Sequence, residues 1–274
     1  MKDVDCVAFL QWALPRLQMR WAGFRKVRRQ VCKRIDRRLR ELCLDDPRAY
    51  RDYLTGHPEE WAELEAMCRI PISRFYRDRG VFDCLRDQIL PELAADTVAR
   101  GEPALRIWSA GCASGEEAYT LGIMWQLDIG PRFPEIELSI NATDIDEQML
   151  ARARRACYSR SSIKDIPKYW REAAFVEQEQ EFCVKPVFRK WIEFHQQDIR
   201  IQMPAGQFHM ILCRHLAFTY FDGDLQRSIS RQLIDRLEPG GVLVTGKQET
   251  SPADFDSLHS VKPPMGIYVM PAIS

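Results

Sequence analysis

The chain has 274 residues, with 39 basic and 39 acidic side chains and 46% hydrophobic content, 10% of its residues being aromatic. That length holds one large domain, or a large one and a small one, with ample core, and the composition is that of a globular chain and not of a disordered one. Zero formal net charge argues against a general nucleic-acid binder, and no apolar run approaches membrane-spanning length.

The opening Met1-Lys2-Asp3-Val4-Asp5 lacks the shape of a signal peptide. Nine cysteines form no CxxC pair and no His/Cys cluster at zinc spacing, so no metal site is expected. The thiols read as reduced and the protein as cytoplasmic.

Up to about residue 102 the pattern is helical. Residues 4–14 are apolar-rich and end at Pro15. Between residues 24 and 44, Val27, Val31, Ile35, Leu39 and Leu42 recur three to four apart, a helical stripe. Over 25–40 its other faces carry Arg25, Lys26, Arg28, Arg29, Lys33, Arg34, Arg37, Arg38 and Arg40 against Asp36 alone. Either this is a solvated face, or the mutual repulsion of the cations marks a negatively charged partner. The chain's own Glu59-Glu60 and Glu63 are a third place for those charges. Shorter helices are expected around 47–55, 58–69 and 80–99, with Gly56 and Pro58 as breakers.

From residue 103 strands alternate with helices. Strands are expected at 105–110, 136–142, 191–194, 210–213 and 242–245, and helices at 116–127, 146–157 and 225–237. The alternation implies a mostly parallel sheet covered on both faces, the α/β class. Residues 158–190 are mixed, charged and aromatic, and read as an inserted subdomain. The expected organisation is a helical domain and linker over 1–102 and an α/β domain over 103–274.

In an open parallel sheet ligands bind beyond the carboxyl ends of the strands. The first strand runs into Gly111-Cys112-Ala113-Ser114-Gly115-Glu116-Glu117. Its small residues are spaced two and two, not as the G-x-G-x-x-G of dinucleotide binders. Glu116 and Glu117 at the following helix start repel phosphate and welcome a cation, although they also complement the helix dipole. S-adenosylmethionine, with an ammonium, a sulfonium and no phosphate, fits that turn. The second strand ends at Asp144, where an acid accepts hydrogen bonds from ribose hydroxyls; the alternative is that Asp144 or Asp146 caps the next helix. Cys112 sits where a thiolate is favoured, with small-residue packing as its plain explanation.

At this point the chain resembles the chemotaxis-receptor glutamate methyltransferases, the CheR type, over nearly its whole length. The matching pieces are Ser73-Arg74-Phe75-Tyr76-Arg77-Asp78, the segment from Trp108 to Tyr119, Ala142-Thr143-Asp144-Ile145-Asp146, Cys213-Arg214-His215 and Tyr220-Phe221-Asp222. The resemblance implies a Rossmann-like class I methyltransferase domain with a small inserted subdomain, preceded by an all-helical domain. It implies an S-adenosylmethionine-dependent enzyme that releases S-adenosylhomocysteine and O-methylates glutamate carboxylates of a helical, chemoreceptor-like protein. Ser73 and Arg77 are then cofactor contacts, Gly111, Ala113 and Gly115 the turn, and Glu116 or Glu117 lies near the methionine part. Asp144 holds the ribose, Asp198 and Ile199 flank the adenine, and His215 and Leu216 lie beneath the cofactor. Arg77 and Tyr220 are the catalytic residues, Tyr220 near the transferring methyl. The basic helix faces an acidic helical region of the receptor, and 158–190 is the part that docks a receptor tail in some members.

Two features depart from the family's usual pattern. His215 stands where Asn is usual, and Leu216-Ala217-Phe218-Thr219 is one residue longer than the usual stretch. Both bear on the acceptor, which leaves two alternatives: a related enzyme acting on another carboxylate or a small molecule, and a cofactor-binding regulatory module without turnover. An imidazole at 215 is either a base for a less acidic acceptor or a hydrogen-bonded residue under the adenosine.

Overall fold

The computed structural model describes residues 2–247, 249, 255 and 258–272, and the chain falls into two compact units. The first is Met1–Ile70 with Thr219–Gln226, and the second is Pro71–Phe218 with Arg227–Ser274. Strands begin only after residue 102, yet the helical stretch 79–99 belongs to the second unit. The reason is hydrophobic: Val81, Phe82, Leu85, Ile89, Leu90 and Leu93 share one core with the strand residues Leu105, Ile107, Leu138 and Met210.

The first unit is built from helices Asp3–Ala13, Arg28–Glu41, Pro47–Gly56 and Glu60–Cys68. Pro47 occupies the first turn of its helix, and Asp46 caps it by accepting from the Arg48 and Ala49 amides at 2.8 and 2.9 Å. The returning segment 219–226 joins through an antiparallel bridge between Met19 and Phe221.

The basic helix buries Val31, Ile35 and Leu39, as its stripe requires. Its charges divide into two sets. Arg34 donates to the Met67 carbonyl, Arg28 pairs with Asp3, and Arg38 forks onto both oxygens of Glu60 at 2.9 and 2.7 Å. Glu60 also accepts from the Tyr50 hydroxyl at 2.8 Å. Arg25, Lys26, Arg29, Lys33, Arg37 and Arg40 remain exposed. The helix's own acids screen some of these, Arg37 lying 3.6 Å from Glu41 and Arg40 3.4 Å from Asp36.

Not all the cysteines are reduced thiols. Cys6 and Cys32 are disulfide-linked, as are Cys157 and Cys183, while Cys43, Cys68, Cys84, Cys112 and Cys213 are free. Each linked pair is 26 residues apart in sequence, a separation without a motif, and is brought together by packing of two helices or pairing of two strands. The thiol argument for a reducing compartment therefore falls away. Among the described residues no helix is long and apolar enough to cross a membrane.

The second unit holds strands β1 (Ala104–Ala110), β2 (Glu137–Asp144), β3 (Cys157–Tyr158), β4 (Phe175–Gln178), β5 (Glu181–Val184), β6 (Ile192–Gln196), β7 (Phe208–Cys213), β8 (Leu237–Thr245), β9 (His259–Lys262) and β10 (Ile267–Val269). Seven form the main sheet in the order β6-β2-β1-β7-β8-β10-β9. The five from β6 to β8 are parallel, and β10 runs antiparallel to both its neighbours. Every residue of β7 is buried, as the interior of a parallel sheet demands. The 158–190 stretch folds largely into a separate antiparallel sheet, β3-β5-β4, whose chain turns between β4 and β5 at Glu179 and Gln180, both with positive φ.

The Arg38–Glu60–Tyr50 cluster generates a stability prediction. Arg38 holds the Glu60 carboxyl below the usual carboxylate range, with Tyr50 adding to the effect against burial. A depressed carboxyl contributes stability above its unfolded value, lost as pH falls through the folded value. Glu60→Gln should destabilise the protein by about 1–3 kcal/mol at neutral pH and show a shallower loss of stability in acid, read by denaturant unfolding across pH. Equal stability at neutral pH would mean that Arg38 finds another partner.

Candidate active site

Three parallel strands deliver the site at their carboxyl ends. In register, Ala110 of β1 stands beside Thr143 of β2, whose carbonyl accepts from the Gly111 and Cys112 amides at 2.8 and 3.0 Å. The chain then turns through Gly111 (φ +76°), Ala113 (φ +47°) and Gly115 (φ +86°) into helix Glu116–Met124. A Cβ on Gly111 would lie 2.6 Å from Leu216 Cδ2, and one on Gly115 2.9 Å from Ala153 Cβ. Both positions therefore need glycine for conformation, and Gly115, hemmed in by Ala153 and the Phe194 ring, for space as well.

Asp144 ties the turn down. Its carboxylate accepts from the Ala113 amide at 2.8 Å and from the Asp146 amide at 2.9 Å. The cap of helix Glu147–Arg155 is Asp146, which accepts from the Gln148 and Met149 amides. Gln197, just beyond β6, donates to the Asp144 carbonyl at 3.0 Å, so Asp198 and Ile199 follow at the neighbouring strand end. Asp198 is paired with Arg200 at 2.6 Å and Ile199 is buried.

At the end of β7, Arg214 is a nearly inaccessible guanidinium, its side chain 3% exposed. It donates to Asp78 Oδ2 at 2.6 Å, to the Arg77 carbonyl at 3.0 Å and to Glu117 Oε2 at 2.9 Å, and lies over the Phe82 ring at 5.1 Å. The other oxygen of Glu117 accepts from Ser109 at 2.8 Å, and His215 Nε2 meets Asp78 Oδ2 at 2.9 Å. The His215 hydrogen bond, with the Arg214 and Arg77 charges, holds the Asp78 carboxyl well below the usual range despite burial. Arg214 Nε is buried without a hydrogen-bond partner among the described residues. Tyr76, Asp78 and His215 also adopt positive φ here, at +56°, +63° and +57°. Such backbone costs on the order of 1–3 kcal/mol per residue and persists where surroundings over-determine it.

The site opens as a cleft with Ile72, Ser73, Arg74, Arg77, Phe82, Gly111, Cys112, Ala113, Glu117, Arg214 and His215 on its walls. Of the residues expected from sequence, Ser73, Arg77, Gly111, Ala113, Glu117 and His215 meet there. Glu116 is buried and accepts from the Ser114 hydroxyl at 2.8 Å, so Glu117 is the acid that reaches the cleft wall. Gly115, Asp144 and Leu216 stand behind the turn, bracing it. Tyr220 belongs to the first unit, where its ring packs on Phe24 at 5.1 Å. Burial pushes the Cys112 thiol well up, helped by the Asp144 and Glu117 charges, which makes it a packing residue. Sequence reasoning did not nominate Asp78, Arg74 or Arg214. All three lie inside motifs that it quoted, and their signal was charge beside a nominated neighbour.

The residues fit S-adenosylmethionine: Gly111, Cys112 and Ala113 of the turn line the cleft, and Glu117 beside them suits a cation without phosphate. Fold and site together define a class I methyltransferase. The family model described as "CheR methyltransferase, SAM binding domain" matches residues 72–266. The chain is 33% identical over 195 residues to a "Chemotaxis protein methyltransferase" of Listeria innocua, covering 70% of this chain and 71% of that one. It is 30% identical over 226 residues to a "Probable chemotaxis protein methyltransferase" of Rhizobium etli, covering 80% and 83%. It is 27% identical over 240 residues to "Chemotaxis protein methyltransferase 2" of Vibrio cholerae, covering 83% and 81%. The chain belongs to the CheR methyltransferase family and is an S-adenosylmethionine-dependent methyltransferase.

Two binding measurements follow from this geometry. Calorimetry should show S-adenosylhomocysteine binding and no NAD binding, because acids crowd the turn; tight NAD binding would contradict the charge argument. Asp144→Ala should weaken S-adenosylhomocysteine by roughly 1–3 kcal/mol, the scale for hydrogen bonds to a charged group. Unchanged affinity in the folded variant would reduce Asp144 to a loop tie.

Proposed function

We propose that this enzyme transfers the methyl of S-adenosylmethionine to glutamate side-chain carboxylates of an acidic, helical, chemoreceptor-like protein in the cytoplasm. The observation that carries this reading is the charge of the cleft: Arg74, Arg77 and Arg214 line it against Glu117, an excess of positive charge on its walls suited to an anionic acceptor. The names of the relatives point the same way.

The bound cofactor supplies an electrophilic methyl on sulfur. A glutamate acceptor is already ionised at neutral pH, since free Glu titrates near about 4.3, and needs no general base. What the protein contributes is alignment and exclusion of water. On this reading Ser73, the turn at Gly111, Ala113 and Gly115, Glu117, Asp144, Asp198, Ile199 and Leu216 hold the cofactor, and Arg77 and Tyr220 serve the acceptor. His215 Nε2 is engaged by Asp78 at 2.9 Å, which fixes the ring's orientation in the cleft wall.

The exposed row Arg29, Lys33, Arg37 and Arg40 recurs at helical spacing on one side of the basic helix, with Lys26 in the turn before it. It is the surface we assign to an acidic helical partner, while Arg34 and Arg38 serve the fold.

Incubation with methyl-labelled S-adenosylmethionine and a lysate containing chemoreceptors should label a protein, and mild base should release the label as methanol, as a methyl ester requires. Base-stable label would contradict carboxylate transfer, and label confined to small molecules would favour the second acceptor class. Reversing Arg29 and Arg37 to Glu should raise the Michaelis constant for the protein acceptor and leave S-adenosylhomocysteine affinity unchanged. Activity should also fall with salt, since exposed charges are screened beyond about 8 Å at physiological ionic strength. A salt-independent rate and an unchanged Michaelis constant would remove the docking assignment.

A further inference from the structure

Tyr158 is a buried residue that no part of the mechanism uses. It lies on β3, the first strand of the inserted sheet, 1% exposed. Its hydroxyl leaves that sheet and donates to the Ser114 carbonyl at 2.7 Å, a buried hydrogen bond spanning 44 residues of sequence. Ser114 is the residue before Gly115, where the turn passes into its helix, and its own hydroxyl donates to the buried Glu116. One phenol therefore reaches from the insertion into the middle of the turn.

The ring of Tyr158 is held from two sides. Phe75 meets it edge-on at 4.8 Å and 88°, and also packs on Phe175 of β4 at 5.2 Å. The Phe75 amide donates to the Ser162 carbonyl at 3.1 Å. Main-chain pairing sets Cys157 opposite Cys183 and Tyr158 opposite Phe182, and the Cys157–Cys183 disulfide fastens that register. The sheet thus fixes the phenol, and through Phe75 it also grips the segment bearing Ser73 and Arg77.

We propose that Tyr158 is a positioning residue for the methyl donor: the inserted sheet holds its hydroxyl on the Ser114 carbonyl, which keeps the 111–115 turn in its ligand-receiving form. This rests on the reading of that turn as the cofactor's seat. Without the hydroxyl the Ser114 carbonyl is a buried acceptor lacking this partner. The free turn relaxes to solvate it, and the ligand has to reverse that relaxation on binding. The insertion is then a support for cofactor binding in addition to any docking role.

The test compares Tyr158→Phe with Tyr119→Phe. Tyr119 is equally buried and donates to the Ala153 carbonyl at 2.9 Å, a matching phenol–carbonyl bond outside the turn. Tyr158→Phe should weaken S-adenosylhomocysteine about five- to tenfold by calorimetry, the scale of one lost buried hydrogen bond. The Michaelis constant for S-adenosylmethionine should rise in step at unchanged kcat. Tyr119→Phe should lower thermal stability comparably and leave affinity unchanged. Equal affinities in all three proteins, or equal losses in both variants, would overturn the proposal. If the wild type itself fails to bind S-adenosylhomocysteine, it is the reading of the seat that fails. Should Tyr158→Phe not fold, hydrogen exchange on the wild type decides. Ligand should protect 156–160 together with 111–117, and exchange unchanged at 156–160 would reject the coupling.

Discussion

One guanidinium organises the cleft. Arg214, at the end of β7, is buried, and its terminal nitrogens reach two other pieces of chain: Asp78 with the Arg77 carbonyl, and Glu117 on the helix after the turn. A buried arginine is tolerable only where carboxylates meet it with good geometry, and removing one partner leaves an uncompensated charge. The constraint runs both ways. Asp78 is partly buried, and the His215 hydrogen bond with the Arg214 charge keeps its carboxyl ionised there, while Glu117 is tied to Arg214 and Ser109.

Positive φ at Tyr76, Asp78, Ala113 and His215 sits within this network. Each of the four has side-chain or backbone hydrogen bonds that hold it: Tyr76 to Thr120 and Asp83, Ala113 to Asp144, and Asp78 with His215 to each other. The strained backbone and the ionic network belong together, since the second fixes the first. A cleft pre-shaped in this manner spends less of a ligand's binding energy on ordering the protein. That suits methyl transfer between a cation and an anion, where alignment does most of the work.

Much of this was legible in the residues. The parallel sheet follows from alternating apolar runs and helical periods, and the basic helix from its stripe of Val31, Ile35 and Leu39. The turn at 111–115 was readable as a ligand seat from small residues followed by two acids. Other features were not. The antiparallel β9 and β10 are strands of four and three residues, too short for a period to show. The disulfides join cysteines whose proximity exists only once helices pack and strands pair. Glu116 and Glu117 look alike in sequence, yet their adjacent positions on the first helical turn point one into the interior and one to the cleft. Arg34 and Arg38 differ from Arg29 and Arg37 only in facing, and that facing depends on where Met67 and Glu60 come to lie.

The most direct measurement of the central claim is a crystal structure grown with S-adenosylhomocysteine. The account predicts ligand density in the cleft walled by Arg77, Gly111, Ala113, Glu117 and His215, against the turn that Asp144 and Tyr158 hold. Density seated elsewhere on the protein, with this cleft filled only by solvent, would contradict it.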